Sequence, residues 1–219
     1  MATESMIAVR TVDGVAWQDY RASNTGMAIL YGSDPISELP IREVPEAGRQ
    51  SEIESEPNYE TATFGYFSCA RTKIRATFVK SKIRYLLFIT KYAGTVEDYQ
   101  GQYLVTGFYR VAKTADVKRY HIRFCSEYSC LDEKVCYALR ADESRFVAAA
   151  DAFKVSPQVL KEWGFSGRLT RQSRILMTEE QTQKVVEFLR GKADIRDKYI
   201  EETARLQPDA ADAEDGDEE

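Results

Sequence analysis

Residues 84–112 read RYLLFITKYAGTVEDYQGQYLVTGFYRVA, and the rest of the chain is organised around this stretch. Its first part, 85–89, is a continuous apolar run of the kind found in strands that are buried on both faces. Its last part, 103–111, is rich in β-branched and aromatic residues, which favour a second strand. Gly107 inside that strand predicts a bulge, a bend or the close approach of another group. The stretch therefore predicts two core strands joined by a loop of tyrosine, glycine and acid.

The segments on either side of this pair predict further strands and then helices. Residues 61–70 (TATFGYFSCA) favour a strand, and 71–84 favour a short basic helix with Ile74 and Phe78 on its apolar side. Strands are also predicted over 117–124 and 135–141. Ser156 and Thr178 are typical helix N-caps, the first followed by a proline. This order predicts an α+β fold, with a curved, mostly antiparallel sheet or pseudo-barrel, one early basic helix, and helices after the basic strand and at the C-terminal end.

The chain divides by composition into five segments. Residues 34–60 contain four prolines and many acids, which is typical of an exposed linker. Whether the strands predicted before this linker pack on the main domain stays open. The predicted segments are a short β-rich N-terminal piece (1–35), an acidic proline-rich linker (36–60), the principal binding domain (61–192), a C-terminal helix (193–206) and a disordered acidic tail (207–219).

Composition bears on the size of the core, on membrane contact and on the cellular compartment of the protein. The chain has 219 residues, 43% of them hydrophobic and 11% aromatic, which is enough for a real core. No run approaches the roughly 20 apolar residues of a membrane helix, and the N-terminus does not resemble a secretory signal. Four cysteines without an export signal predict reduced thiols. We expect a cytoplasmic protein that does not contact a membrane.

The net charge of −5 hides a strong partition along the chain. Residues 1–63 carry a net charge of −7, residues 64–200 carry +10 and residues 201–219 carry −8. A basic middle favours an anionic partner, which the acidic flanks would repel or mask. A second interpretation is that the basic surface is ordinary and the flanks serve solubility.

A metal site is one interpretation of the only histidine and three of the cysteines. Zinc prefers four such ligands in a tetrahedron, and these four side chains lie within sixteen residues of sequence. The spacing lacks the paired C-x2-C pattern of zinc knuckles, and ligands four residues apart on a strand would be about 13 Å apart. We therefore expect no cofactor, with zinc as the alternative. The candidate ligands are His121, Cys125, Cys130 and Cys136.

Catalysis finds little support in the sequence. A Cys-His or Ser-His pair would need His121, which lies in a basic strand with no signature of a nucleophile nearby. The carboxylates Glu97 and Asp98, with Glu127 or Asp151, could act as acids or bases, but adjacent acids in a loop are more typical of a solvated surface. No phosphate-binding glycine loop is present. The sequence leans away from an enzyme, and a nucleic-acid-processing enzyme stays as an alternative.

Nucleic-acid binding is the function that the sequence favours. Lysine and arginine side chains contact phosphates, and aromatic rings stack on bases. Strand alternation would place Tyr103 and Tyr109 on one face with a gap at Gly107, where a planar ligand could lie. The candidate phosphate contacts are Arg71, Lys73, Arg75, Lys80, Lys82, Arg84, Lys91, Arg168 and Arg171. The candidate base pocket is Phe88, Tyr92, Thr95, Asp98, Tyr99, Tyr103, Tyr109 and Trp163.

The pattern YLLFIT, a short glycine loop and GQYLVTGFYRV resembles the PUA-like superfamily, especially EVE-like domains. The later segments ESRFVAAADAFKVS, WGFSGR and MTEEQTQKVVEFL are similar to small prokaryotic domains associated with modified nucleotides. The resemblance covers about residues 64–191. It implies a pseudo-barrel that binds RNA or DNA, in some members with a flipped modified base in an aromatic cage. That cage would be drawn from Phe88, Tyr92, Tyr103, Tyr109 and Trp163.

Two expectations about partners follow. The first is a non-catalytic module that binds RNA or DNA. A narrower form of this hypothesis is that the module recognises a modified or flipped base. The second is a protein-interaction subunit whose acidic flanks mimic or compete with nucleic acid.

Overall fold

The computed structural model describes residues 15–31, 57–67, 72–118, 135–170 and 173–205, and they form an α+β fold around one mixed sheet of eight strands. The sheet order is β3-β6-β5-β4-β2-β8, and β1 and β7 each pair with β5. The strands are β1 (Gln18–Asp19), β2 (Gly26–Tyr31), β3 (Thr63–Phe67), β4 (Tyr85–Lys91), β5 (Tyr103–Lys118), β6 (Val135–Phe146), β7 (Phe153–Lys154) and β8 (Arg174–Met177). The helices are α1 (Thr72–Lys80), α2 (Pro157–Glu162), α3 (Glu179–Arg190) and α4 (Arg196–Arg205).

The predicted pair of core strands is confirmed as β4 and β5. β4 is buried from Tyr85 to Thr90 and pairs antiparallel with β5 over seven positions. β5 is longer than predicted, because it runs without interruption for 16 residues to Lys118. The strand predicted over 117–124 therefore begins inside β5, and its later residues lie outside the described ranges.

Gly107 lies at a bulge and at a close approach, two of the three predicted alternatives. Phe88 pairs with Gly107, and the next residue of β4 pairs with Val105, so Thr106 is the extra residue. A β-carbon added at Gly107 would lie 2.4 Å from the carbonyl oxygen of Arg145 and 2.4 Å from the Tyr59 hydroxyl. Only glycine fits between these two groups.

The N-terminal segment contributes an interior strand of the sheet, a point that the sequence leaves open. β2 lies between β4, with which it pairs parallel, and β8, with which it pairs antiparallel. Five of its six residues are buried. This is the one parallel pair among the described strands, so the sheet is mostly antiparallel, as predicted.

Each face of the sheet is covered by its own apolar cluster. Leu87 and Ile89 of β4 point to one face, where α2 and α3 cover them; we call this group the helix-side cluster. Leu86 and Phe88 point to the other face, into a group that we call the tyrosine cluster. The tyrosine cluster contains Tyr31, Tyr59, Tyr109, Tyr137 and Tyr199 with Phe64, Phe78 and Phe146.

The sheet curves around the tyrosine cluster. β3 and β4 are separated by β6 and β5, and three strand spacings would amount to about 14 Å in a flat sheet. The rings of Phe64 on β3 and Phe88 on β4 nevertheless lie 5.8 Å apart. The curvature that the sequence predicts is present, while the order from β3 to β8 is open within the described strands.

Tyr59 lies in the segment that the sequence assigns to a linker, and it is 1% exposed. Its ring stacks on Phe146 at 4.5 Å and meets Phe88 and Tyr109 edge to face. Asn58 stabilises the turn that contains Tyr59, because its side-chain oxygen accepts hydrogen bonds from the backbone N–H groups of Glu60 and Thr61. Residues 57–60 therefore belong to the folded domain.

The helix ends follow their predicted caps. The Ser156 hydroxyl accepts a hydrogen bond from the backbone of Val159 at the start of α2. Thr178 and Gln181 form a reciprocal capping box at the start of α3, which ends at Gly191. The described helices include none that is long and apolar enough to cross a membrane.

Candidate nucleic-acid interface

The structure does not bring the eight predicted pocket residues together. Phe88 and Tyr109 are wholly buried in the tyrosine cluster, on one face of the sheet. Tyr92 and Trp163 are buried in the helix-side cluster, on the other face. Because the sheet lies between the two groups, their rings cannot line one pocket.

The gap expected over Gly107 is filled by the chain itself. The Tyr59 hydroxyl occupies the space where a side chain of residue 107 would lie. The alternation expected along β5 is also broken, because the bulge places Val105 beside Leu104 in the helix-side cluster. The expectation of a planar ligand between Tyr103 and Tyr109 is therefore wrong. The sequence contains no local signal for this, since Tyr59 is far from β5 along the chain.

The loop between β4 and β5 is built around Tyr92. The backbone N–H of Val96 donates to the Tyr92 hydroxyl at 3.3 Å, and the ring of Tyr99 meets that of Tyr92 edge to face at 5.6 Å. A β-carbon on Gly94 would meet the same hydroxyl at 2.4 Å, so the loop closes tightly over it. Tyr92 is thus a structural residue of the loop, whereas Tyr99 is partly exposed.

A 3-10 helix over Glu97–Tyr99 lies in this loop. Its N-cap is Val96, which makes no side-chain hydrogen bond. The side chains of Thr95 and Asp98 are exposed at the tip of the loop. Tyr103 follows at the start of β5, partly exposed.

The predicted phosphate contacts divide between two places. Lys80 and Lys82 are exposed near the start of β4, and Lys91 is exposed at its end. Seven residues of β4 span about 20 Å, so these lysines cannot act on one short ligand segment together with the loop. Arg84 is committed to the fold, because its guanidinium donates to the carbonyl oxygens of Val111 and Ala22.

The remaining predicted cations are only partly covered by the described residues. Arg168 is exposed in the turn after α2. Arg71 and Arg171 lie outside the described ranges, as do the side chains of Lys73 and Arg75.

A group of partly or fully exposed aromatic and basic side chains begins at Tyr99 in the loop between β4 and β5, and we call it the aromatic–lysine platform. It contains Tyr99, Phe153, Lys154, Phe188 and Lys192. The Lys154 ammonium lies 5.3 Å from the centre of the Tyr99 ring, and the Lys192 ammonium lies 5.0 Å from the centre of the Phe188 ring. Both distances are those of cation–π contacts.

β7 carries one residue of each half of the platform, Lys154 beside Tyr99 and Phe153 beside Phe188. It pairs with β5 through Val105 and Leu104, which places Phe153 and Lys154 next to the start of β5. Phe153 stacks on Trp163 at 6.2 Å and meets Phe188 edge to face at 5.3 Å. Trp163 therefore supports the platform from below, while Phe188 is 39% exposed. Only Tyr99 and the supporting Trp163 were predicted from the sequence; Phe153, Lys154, Phe188 and Lys192 were missed.

An ionic cluster fixes the C-terminal end of α3, which carries one half of the platform. Arg190 donates two hydrogen bonds of 2.7 Å to the two carboxylate oxygens of Glu143 on β6. Arg110 on β5 contacts the same carboxylate at 3.3 Å and that of Asp142 at 2.7 Å. The hydrogen bonds from Arg190 hold the pKa of Glu143 below its ordinary value. Phe188 and Lys192 flank this anchor in sequence, so their positions depend on it.

The predicted metal ligands are mostly beyond the part of the chain that the structure describes. His121, Cys125 and Cys130 lie outside it, and Cys136 lies on β6 with its side chain undescribed. Among the described residues, no group of three or more His, Cys, Asp or Glu side chains is placed to hold a metal ion. The zinc alternative stays a prediction.

No protein-family model, curated protein or solved structure matches this chain. The resemblance to the PUA-like superfamily accordingly stays a prediction from sequence. The function must be inferred from the side chains that the fold exposes.

Proposed function

We propose that this protein is a non-catalytic nucleic-acid-binding module and that the aromatic–lysine platform is its contact surface. The observation that carries the proposal is the pair of lysines over accessible rings, exposed Lys154 over partly exposed Tyr99 and partly exposed Lys192 over exposed Phe188. A PUA-like relationship and a reducing, cytoplasmic setting are part of the same proposal.

The platform combines the two kinds of contact that nucleic acids need. Its ammonium groups neutralise phosphates, which gives most of the affinity and makes binding depend on salt. Its rings offer apolar faces to bases, and stacking of one base contributes about 1–3 kcal/mol. The positive charge of residues 64–200 favours the approach of any polyanion to this part of the chain.

If the module recognises a modified base, fewer of the predicted pocket residues can contact that base than the sequence suggests. Of the predicted pocket aromatics, Tyr99 and Tyr103 are the two that are partly exposed in the fold. A flipped base would lie beside them, with exposed Thr95 and Asp98 near its edge. Comparing a matched duplex with one that carries a mismatched base tests this form, because a mismatched base costs less to extract.

The test of the main proposal is a fluorescence-anisotropy titration with labelled 12-nucleotide RNA, DNA and duplex probes across a series of salt concentrations. Two lysine–phosphate contacts on a single strand give a slope of log K against log salt of about −1.4. Lys154→Glu and Lys192→Glu should each weaken binding. Lys184→Glu, an exposed charge reversal on α3 outside the platform, is the matched control.

Lys80→Glu with Lys82→Glu distinguishes the platform from the basic surface at α1. If only that pair weakens binding, the contact surface is the one predicted from the sequence and the platform is wrong. If binding is absent, or its salt slope is near zero, nucleic-acid binding itself is wrong.

A protein partner is the second candidate, favoured by the acidic ends of the chain. Residues 201–219 carry a net charge of −8, which could occupy a basic surface of a partner or of this chain. Deleting residues 207–219 separates the cases. Tighter nucleic-acid binding after deletion indicates competition by the tail, whereas loss of a protein partner without that gain indicates docking.

A further inference from the structure

We infer that the ligand of the aromatic–lysine platform is a single-stranded nucleic acid whose bases stack on the exposed rings of Tyr99 and Phe188. This inference rests on the proposed function and narrows it to one class of ligand. It is carried by two features of the fold, a closed aromatic interior and an accessible aromatic surface.

The tyrosine cluster leaves no space for a base between the predicted pocket residues Phe88 and Tyr109. Phe88 and Tyr109 are 0% exposed, and their rings contact each other at 4.8 Å. Tyr59 lies against both, with its hydroxyl over Gly107. A base that entered here would have to displace Tyr59 from a stacked contact with Phe146 and from three edge-to-face contacts.

The rings of Tyr99 and Phe188 are accessible, because Tyr99 is partly exposed and Phe188 is 39% exposed. The ends of Lys154 and Lys192 lie over Tyr99 and Phe188, where a long and flexible side chain can be replaced by another group. Giving up an exposed cation–π contact lowers the binding constant by a factor of about 2–5, on the scale where 1.4 kcal/mol is tenfold. Lys192 also lies 3.7 Å from the Asp151 carboxylate, an exposed ion pair that contributes little. Stacking one base strengthens binding by a factor of about 5–150 on the same scale. The exchange favours the base, and the displaced ammonium is then beside the strand, where it can contact a phosphate.

A duplex cannot use these rings. Each base of a duplex already stacks on its neighbours, so a duplex offers its backbone but not its base faces to an open surface. A single strand offers both, whether it is RNA or DNA, because every base has an apolar face. The platform should therefore prefer single strands, tolerate different sequences and discriminate weakly between the two sugars.

The experiment compares three labelled probes, dT12, rU12 and a 12-base-pair DNA duplex, with four variants of the full chain. Tyr99→Ala and Phe188→Ala remove one ring each, and each should weaken binding of dT12 and rU12 by a factor of about 5–150 while leaving duplex binding unchanged. Tyr99→Phe and Phe188→Tyr keep the rings and should keep the affinity. Leu176→Ala removes another exposed apolar side chain, on β8, and is the matched control.

A second measurement guards against variants that fail to fold. Photo-crosslinking of a strand carrying 5-iodouracil to the unmodified protein, followed by peptide mass spectrometry, should place adducts on peptides containing Tyr99 or Phe188. Adducts confined to other peptides overturn the inference. The inference is also overturned if the wild-type protein binds the duplex as tightly as the single strands and the alanine variants bind every probe as tightly as the wild-type protein does. If the wild-type protein binds none of the probes, the proposed function is wrong as well.

Discussion

Replacing Tyr109 with phenylalanine tests the description of the tyrosine cluster most directly. The Tyr109 hydroxyl is wholly buried and makes no hydrogen bond within the described part of the chain. Burying a hydroxyl without a partner costs about 1–3 kcal/mol. Tyr109→Phe removes this cost and leaves the ring contacts with Phe88 and Tyr59 in place. We therefore expect the free energy of unfolding to rise by about 1 kcal/mol or more.

The assay is urea and thermal unfolding followed by circular dichroism. A gain of 1 kcal/mol raises the melting temperature of a chain of this size by about 2–4 °C. Tyr31→Phe is the matched control, because the Tyr31 hydroxyl does have a partner, the Thr106 hydroxyl at 2.7 Å. Its removal should lower the free energy of unfolding by about 1 kcal/mol.

The two substitutions remove the same atom from the same cluster and should change stability in opposite directions. If Tyr109→Phe destabilises the protein as much as Tyr31→Phe, the Tyr109 hydroxyl has a stabilising partner and the account of the cluster is refuted. An unchanged urea m-value is required for the comparison, since a change in m means that the unfolded or native state has changed.

Three further predictions concern backbone fit, an ion pair and the buried hydroxyls. Gly107→Ala should destabilise the fold by at least about 2 kcal/mol in the same unfolding assay, because the added carbon meets a backbone carbonyl at 2.4 Å. Gly191→Ala is the control and should be neutral or stabilising, because its added carbon has its nearest atom at 3.5 Å. Glu143→Gln should cost about 1 kcal/mol at pH 7. Because the pKa of Glu143 is lowered in the fold, this cost is full above the ordinary pKa of glutamate and disappears as pH falls through the folded pKa, so the two proteins should unfold alike in acid. Burial raises the pKa of Tyr59 and Tyr109, so the free energy of unfolding should fall as pH rises above about 10, the ordinary tyrosine value. Absorbance at 295 nm should show these two tyrosines ionising only as the chain unfolds, and ionisation of both in the folded state would contradict their burial.

The candidate site was predicted less well than the fold, and the bulge in β5 shows one reason. A single extra residue reverses the side to which the following side chains point, so the alternation expected from Tyr103 to Tyr109 does not hold. Gly107 predicted an irregularity correctly, but its sequence context could not distinguish a ligand from a neighbouring side chain. The group over Gly107 is Tyr59, which is 48 residues away in the sequence and inside an apparently exposed acidic segment.

The platform shows the other reason. Tyr99, Lys154 and Phe188 come from a loop, a two-residue strand and a helix that are far apart in sequence. The contact of Lys154 with Tyr99 depends on the pairing of β7 with β5, and the position of Phe188 depends on the anchor between Glu143 and Arg190. Neither contact has a local pattern, so the sequence offered Phe153 and Phe188 as ordinary apolar residues.

Local sequence patterns were sufficient to predict the elements whose causes are local. The apolar run of β4 and the serine and threonine caps of α2 and α3 depend on residues within a few positions of one another. Gly107 predicted an irregularity, but the need for glycine there comes from Arg145 and Tyr59, which are distant in the sequence. Contacts between distant segments place β2 between β4 and β8, Tyr59 in the tyrosine cluster and Lys154 over the ring of Tyr99. The physical reason is that burial and strand pairing bring together side chains from distant parts of the chain, and these contacts determine which aromatic residues form core and which remain available to a ligand.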